Sequence, residues 1–133
     1  MTVSLFLSGC DSDDDLSTQD PVAGTALKIQ GQWSVTSYVK ETINRTSVFQ
    51  NHFFTFQSNG SALITKSGAQ VSSGTWKVIQ DGSQLKLVLL LSGGGNFEEI
   101  SEDWDIVSAS SGTLSLKNVS GSNAGTDVLE FGR

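Results

Sequence analysis

His52-Phe53-Phe54-Thr55-Phe56-Gln57-Ser58-Asn59-Gly60-Ser61-Ala62-Leu63-Ile64-Thr65-Lys66 is the stretch that decides the fold. Phe54 and Phe56 fall at every second position with Thr55 between them, the rhythm of a strand buried on one face and wet on the other. A helix would space its apolar residues three and four apart. The run meets Ser58-Asn59-Gly60, where Asn and Gly tolerate positive φ, and resumes as Ala62 to Lys66. The segment predicts a β-hairpin.

The same grammar extends in both directions. Trp76 and Val78 share a face, Asp81-Gly82 turns the chain, and Leu85, Leu87, Leu89 and Leu91 share a face beyond it. Upstream, Trp33, Val35 and Val39 have one parity, with Ser34, Thr36, Tyr38 and Lys40 on the other. Residues 41–50 form a looser polar connection or a short helix. Downstream, three glycines mark a turn over residues 92–96, and residues 97–108 read as the next strand. Residues 113–119 carry Leu114 and Leu116 inward, a turn spans 120–125, and the last strand pairs Leu129 with Phe131. No helix of useful length is expected. About eight strands joined by short turns leave two unpaired edges unless the sheet closes, so the expected fold class is all-β, a small antiparallel up-and-down β-barrel.

Charge divides the chain. Residues 1–26 hold five acids and no base, whereas residues 27–133 hold nine acids against eight bases. The body has no Lys/Arg stripe to neutralise phosphates, so nucleic acid is not an expected partner. Cys10 is the single cysteine and lies outside the body, so packing rather than a disulfide must stabilise the domain.

Val3, Leu5, Phe6 and Leu7 make a short apolar run ending in Leu7-Ser8-Gly9-Cys10. This resembles the lipobox of bacterial lipoproteins, in which the chain is cut before the cysteine and the cysteine is acylated. The resemblance implies that residues 1–9 are the remnant of a truncated signal peptide, since no Lys or Arg precedes the apolar run, and that Cys10 is the lipidation site. Asp11-Ser12-Asp13-Asp14-Asp15 follows, similar to the acid-rich export signal of surface lipoproteins in Bacteroidetes-type bacteria. It implies an outer-membrane, lipid-anchored protein facing outward, with membrane contact through the lipid on Cys10. Residues 10–26 then read as an acidic, disordered linker and residues 27–133 as the domain.

The body itself resembles the lipocalin-like domains of bacterial lipoproteins in Gly31-Gln32-Trp33, in the aromatic strand running into Asn59-Gly60, and in Gly74-Thr75-Trp76. That family implies a barrel and leaves its ligand open.

Chemistry is sparse. His52 is the only histidine and no serine sits in a nucleophile elbow, so no catalytic residue is expected, and His52 reads as a rim or core residue. One thiol and one imidazole do not complete a zinc shell; no metal or cofactor is expected. Glu98, Glu99, Glu102, Asp103 and Asp105 form the densest ionisable cluster. Alternation puts Glu98 and Glu102 on the side of Ile100, Trp104 and Ile106. Either a β-bulge near Ser101 turns Glu102 out, the favoured reading, or an interior acid faces a hydrated pocket. Candidate interior residues are Trp33, Phe54, Phe56, Trp76, Glu102, Trp104 and Phe131, which either line a cavity for a small apolar ligand or fill the barrel. The first alternative implies a tethered binding module. The second implies an interaction scaffold for a surface protein complex or polysaccharide system. Neither is an enzyme.

Overall fold

The computed structural model describes residues 20–119 and 125–133. Its elements are a helix α1 (Pro21–Ile29), strands β1 (Gly31–Lys40) and β2 (Ile43–Asn44), a 3-10 turn (Thr46–Phe49), strands β3 (His52–Phe56), β4 (Ser61–Lys66), β5 (Ala69–Asp81) and β6 (Gln84–Leu91), a helix α2 (Gly95–Glu99), and strands β7 (Asp103–Ala109), β8 (Thr113–Val119) and β9 (Thr126–Gly132). β1 pairs antiparallel with β3, each strand from β3 to β9 pairs antiparallel with the next, and β9 returns to bond β1. The sheet therefore closes into the up-and-down barrel of eight strands that the turns imply, with β2 a two-residue extension on β1.

Hairpin chemistry sets the registers. Ser58-Asn59-Gly60 form the turn as expected: Gly60 N donates to Gln57 O at 3.0 Å and Gln57 N to Ser61 O at 2.9 Å. Only Gly60, φ 90°, enters the left-handed region, and Asn59 does not. Asn59 instead accepts a hydrogen bond from Ser61 N at 2.9 Å. A hairpin the sequence reading passed over joins β4 to β5 at Ser67 and Gly68, both with positive φ as a type I′ turn requires.

Strand alternation delivers the core, with register shifts in the β1–β9, β4–β5 and β7–β8 pairs. In β1 the register against β9 shifts between Val35 and Ser37, a bulge that changes which face follows. Tyr38 is consequently fully buried and Val39 only half-buried, opposite to the parity expected from sequence.

Two helices correct the sequence reading. Residues 21–26, expected to be linker, belong to α1, which begins where Asp20 caps it by accepting from Val22 N at 3.0 Å and Ala23 N at 3.2 Å, with Pro21 in the first turn. Val22 and Ala26 pack against the core, and Ile29 is fully buried. Residues 97–108 are not one strand. Gly93, Gly94 and Gly95, with φ of 103°, 63° and 55°, turn the chain into α2 instead. Phe97 and Ile100, three apart as on a helix, then face the core. Neither a bulge at Ser101 nor an inward strand position applies to Glu102. Ser101 holds the corner, its hydroxyl donating to Phe97 O at 2.8 Å and accepting from Leu91 N at 2.9 Å.

Candidate functional site

The interior comes first, because the sequence places its candidates there. Trp33, Phe54, Phe56, Trp76, Trp104 and Phe131 all belong to one buried core. Phe131 meets Phe54 edge-on at 5.1 Å between centroids and Phe56 at 5.9 Å; Phe56 in turn meets Trp76 at 5.6 Å. Each indole N–H donates to a main-chain carbonyl: Trp33 to Ile29 at 2.7 Å, Trp76 to Gln57 at 2.8 Å and Trp104 to Ile100 at 2.9 Å. Two of these acceptors lie four residues upstream, at the ends of α1 and α2, so Trp33 and Trp104 pin the two helices to the barrel. Phe54, Trp104, Phe131, Leu87, Leu89, Leu114, Leu116 and Leu129 have no surface exposed to solvent. The middle of the barrel is packed side chain.

Phe49 and Tyr38 complete that interior and were not anticipated. Phe49 sits in the 3-10 turn and touches Tyr38, Phe54, His52 and Phe97 at ring separations of 5.6–6.0 Å. The only sequence signal was an isolated aromatic in a polar stretch. His52 Nδ1 lies 3.0 Å from Gln50 O, and its ring rests against Phe49 and Phe97. It is a buried packing residue at the upper end, where β1 finishes.

That end also collects the ionisable groups, though not as one site. Glu99 accepts from Tyr38 Oη at 3.2 Å and from Arg45 Nη2 at 3.2 Å, and Arg45 reaches Asn96 Oδ1 at 3.1 Å as well. Burial first, then the Glu99 carboxylate, pushes the Tyr38 phenol well above its ordinary range. Asp127, 2 % exposed and not singled out by sequence, accepts from Glu41 N at 2.9 Å and pairs with Lys40 at 3.5 Å. Glu102 is half-buried near it, and its carboxyl is raised above the usual range by burial first and by the Asp127 charge next. Asp105 points outward to Lys86 at 3.0 Å. Among the described residues no three His, Cys, Asp or Glu side chains converge as a metal site. Cys10 lies outside the described residues.

A concavity opens in the outer wall. β1 and β3 are paired only through Gly31–Trp33, and beyond Trp33 they diverge because β2 and the 3-10 turn are inserted between them. Tyr38, left without a β3 partner, bonds the insert instead: its N–H donates to Thr46 Oγ1 at 2.9 Å and its carbonyl accepts from Arg45 N at 2.7 Å. The wedge is a cleft of about 670 Å³ with Val35 and Phe49 at its base, Ser34, Asn44, Thr46, Ser47, Gln50 and Asn51 around it, and Phe53 and His52 along β3. Asn44 Oδ1 accepts from both Thr46 N at 3.0 Å and Thr46 Oγ1 at 2.8 Å, which orients its amide NH₂ away from Thr46.

No protein-family model matches the chain, and no curated protein matches it in sequence. Among solved structures, a lipocalin-like protein from Bacteroides uniformis is similar at 16 % identity, covering 80 % of this chain and 98 % of that one, with a TM-score of 0.44. At that similarity the barrel assignment rests on the chain's own strand order and closure.

Proposed function

We propose that this chain is a non-enzymatic binding module of the cell envelope, tethered to the outer membrane through lipid on Cys10, which engages its target with the outer wall of a filled barrel. The observation that carries the reading is the sealed aromatic interior: an apolar ligand entering it would have to displace Phe54, Phe131 or Trp104, each fully buried and in contact with its neighbours. Nothing is left for such a ligand to gain, because the apolar surface it would cover is already out of water. The outer wall offers instead a concavity held by a short, hydrogen-bonded insert. Closure at both ends supports the same reading, with α1 below and the 3-10 turn and α2 above.

Intrinsic fluorescence tests it, since all three tryptophans report from the interior. Titration with palmitate and with retinol leaves the emission maximum in place if the barrel is filled. A saturable blue shift at one-to-one stoichiometry would put the ligand inside and end this proposal. The tether is tested separately by radiolabelled palmitate in cells, which labels the native chain and spares Cys10→Ala.

A further inference from the structure

The cleft between β1 and β3 has a chemistry narrow enough to name a ligand class. No Asp, Glu, Lys or Arg lines it. His52 is its one titratable lining residue, with Nδ1 3.0 Å from Gln50 O, and the cleft has no Arg or Lys through which to hold an anion. A lipid tail would strip water from the polar groups of Ser34, Asn44, Thr46, Ser47, Gln50 and Asn51 without replacing their hydrogen bonds. Neutral polar groups set around the Phe53 ring suit a ligand that is neutral, donates and accepts hydrogen bonds along its length, and offers an apolar face.

We propose that this cleft binds a neutral saccharide, with the Phe53 ring as the platform for the C–H face of a sugar and the Asn44 and Gln50 amides as partners for its hydroxyls. Phe53 is 44 % exposed because β3 alternation sends Phe54 inward and Phe53 out. The Asn44 amide is held ready by its two bonds from Thr46, so little ordering cost attaches to using it. Asn51, with φ 66°, holds a left-handed position at the mouth that Asn tolerates better than most residues. A second hollow of about 230 Å³, lined by Gln32, Ser34, Phe53 and Arg133, shares Ser34 and Phe53 with the first, so Phe53 stands between two hollows and an oligosaccharide has room on either side of it. The Arg133 guanidinium in that second hollow is already committed. It donates to Lys28 O and Ser111 O at 2.8 Å and to Gln30 O at 2.7 Å, and sits 3.8 Å from the Trp33 ring centroid. This inference rests on the outer-wall reading above and specifies its ligand.

The test is a ¹⁵N-amide NMR titration of the full chain with neutral hexasaccharides of glucose, mannose, xylose and N-acetylglucosamine, with hexagalacturonate and palmitate as controls. At least one neutral chain should shift the amides of Ser34, Val35, Asn44, Gln50 and Phe53, and hexagalacturonate should not. Phe53→Ala should weaken that binding about tenfold or more, a loss in the range of an interface anchor, and Phe53→Tyr should keep it. Gln50→Ala, at an exposed side chain, gives a second variant in which folding is not in question. Silence of the cleft amides toward every neutral chain at concentrations on the order of 10 mM, or unchanged binding by both Ala variants, overturns the saccharide assignment while leaving the outer-wall reading in place. Shifts at Phe54, Trp104 and Phe131 with palmitate overturn both.

Discussion

Replacing Phe54 by alanine should turn a filled barrel into a hollow one, and the size of the effect follows from its surroundings. Phe54 is fully buried on β3 and lies against Phe49 at 5.8 Å, Phe56 at 6.5 Å and Phe131 at 5.1 Å between centroids. Removing a ring so enclosed forfeits its transfer free energy, its edge-on contacts and the packing of the walls, together about 4 kcal/mol. A domain of this size has about 5–15 kcal/mol in hand, so Phe54→Ala remains folded or nearly so, with a thermal midpoint lowered by about 20 °C. The void is walled by Phe and apolar side chains and should stay dry, so benzene or toluene should enter it. At ten times its dissociation constant such a ligand restores about 1.4 kcal/mol. Urea unfolding of native protein and variant, each with and without benzene, gives the four stabilities to be compared, and a thermal scan gives the midpoints. The expected pattern is a large loss in the variant, partial rescue by benzene, and no response in the native protein. The reasoning fails if the variant loses less than about 1 kcal/mol, because the side chain then has no tight packing to lose, or if benzene stabilises the native barrel as much as the variant.

Three further outcomes follow from particular contacts. Gly74→Ala should cost about 2–3 kcal/mol in urea unfolding, because its Cβ would collide with the Leu90 carbonyl oxygen on the neighbouring strand and only main chain can give way; a variant of native stability would contradict the close approach of β5 and β6. Glu102→Gln should stabilise the protein near pH 7 but not near pH 3. Its carboxyl is raised by burial, so the folded state keeps the proton to higher pH than the unfolded chain, and stability declines as pH climbs through the ordinary carboxylate range to the folded value; an equal gain at both pH values would remove burial as the cause. Tyr38, the sole tyrosine, should give no phenolate absorbance in the folded protein near pH 10, where a free phenol is half ionised, and a titration midpoint there would mean that the ring is not buried beside Glu99.

What the chain spells out locally is the sheet. Phe54 and Phe56, Trp76 and Val78, Leu87 and Leu89, Leu114 and Leu116, and Leu129 and Phe131 all enter the core that their every-second-residue spacing implies, because a pleated strand leaves a side chain only two directions to take. Gly60 and Gly82 mark real corners for an equally local reason, their freedom at positive φ. Closure follows from the number of such strands, since unpaired edges are costly wherever they are left.

Tertiary structure decided the rest. The bulge between Val35 and Ser37 depends on how β9 lies against β1, and it alone puts Tyr38 rather than Val39 inside. α1 and α2 are too short to declare themselves by periodicity; each is held by an indole N–H, Trp33 on Ile29 and Trp104 on Ile100, from a strand that must first be in place. The acids at 98–105 look like one cluster on paper, yet α2 and the turn after it send Glu99 to Arg45, Glu102 toward Asp127 and Asp105 to Lys86. The cleft is the extreme case. Ser34, Asn44 and Phe53 carry no shared motif, and they face one another only because two neighbouring strands part after Trp33, a divergence created by long-range pairing that no window along the chain contains.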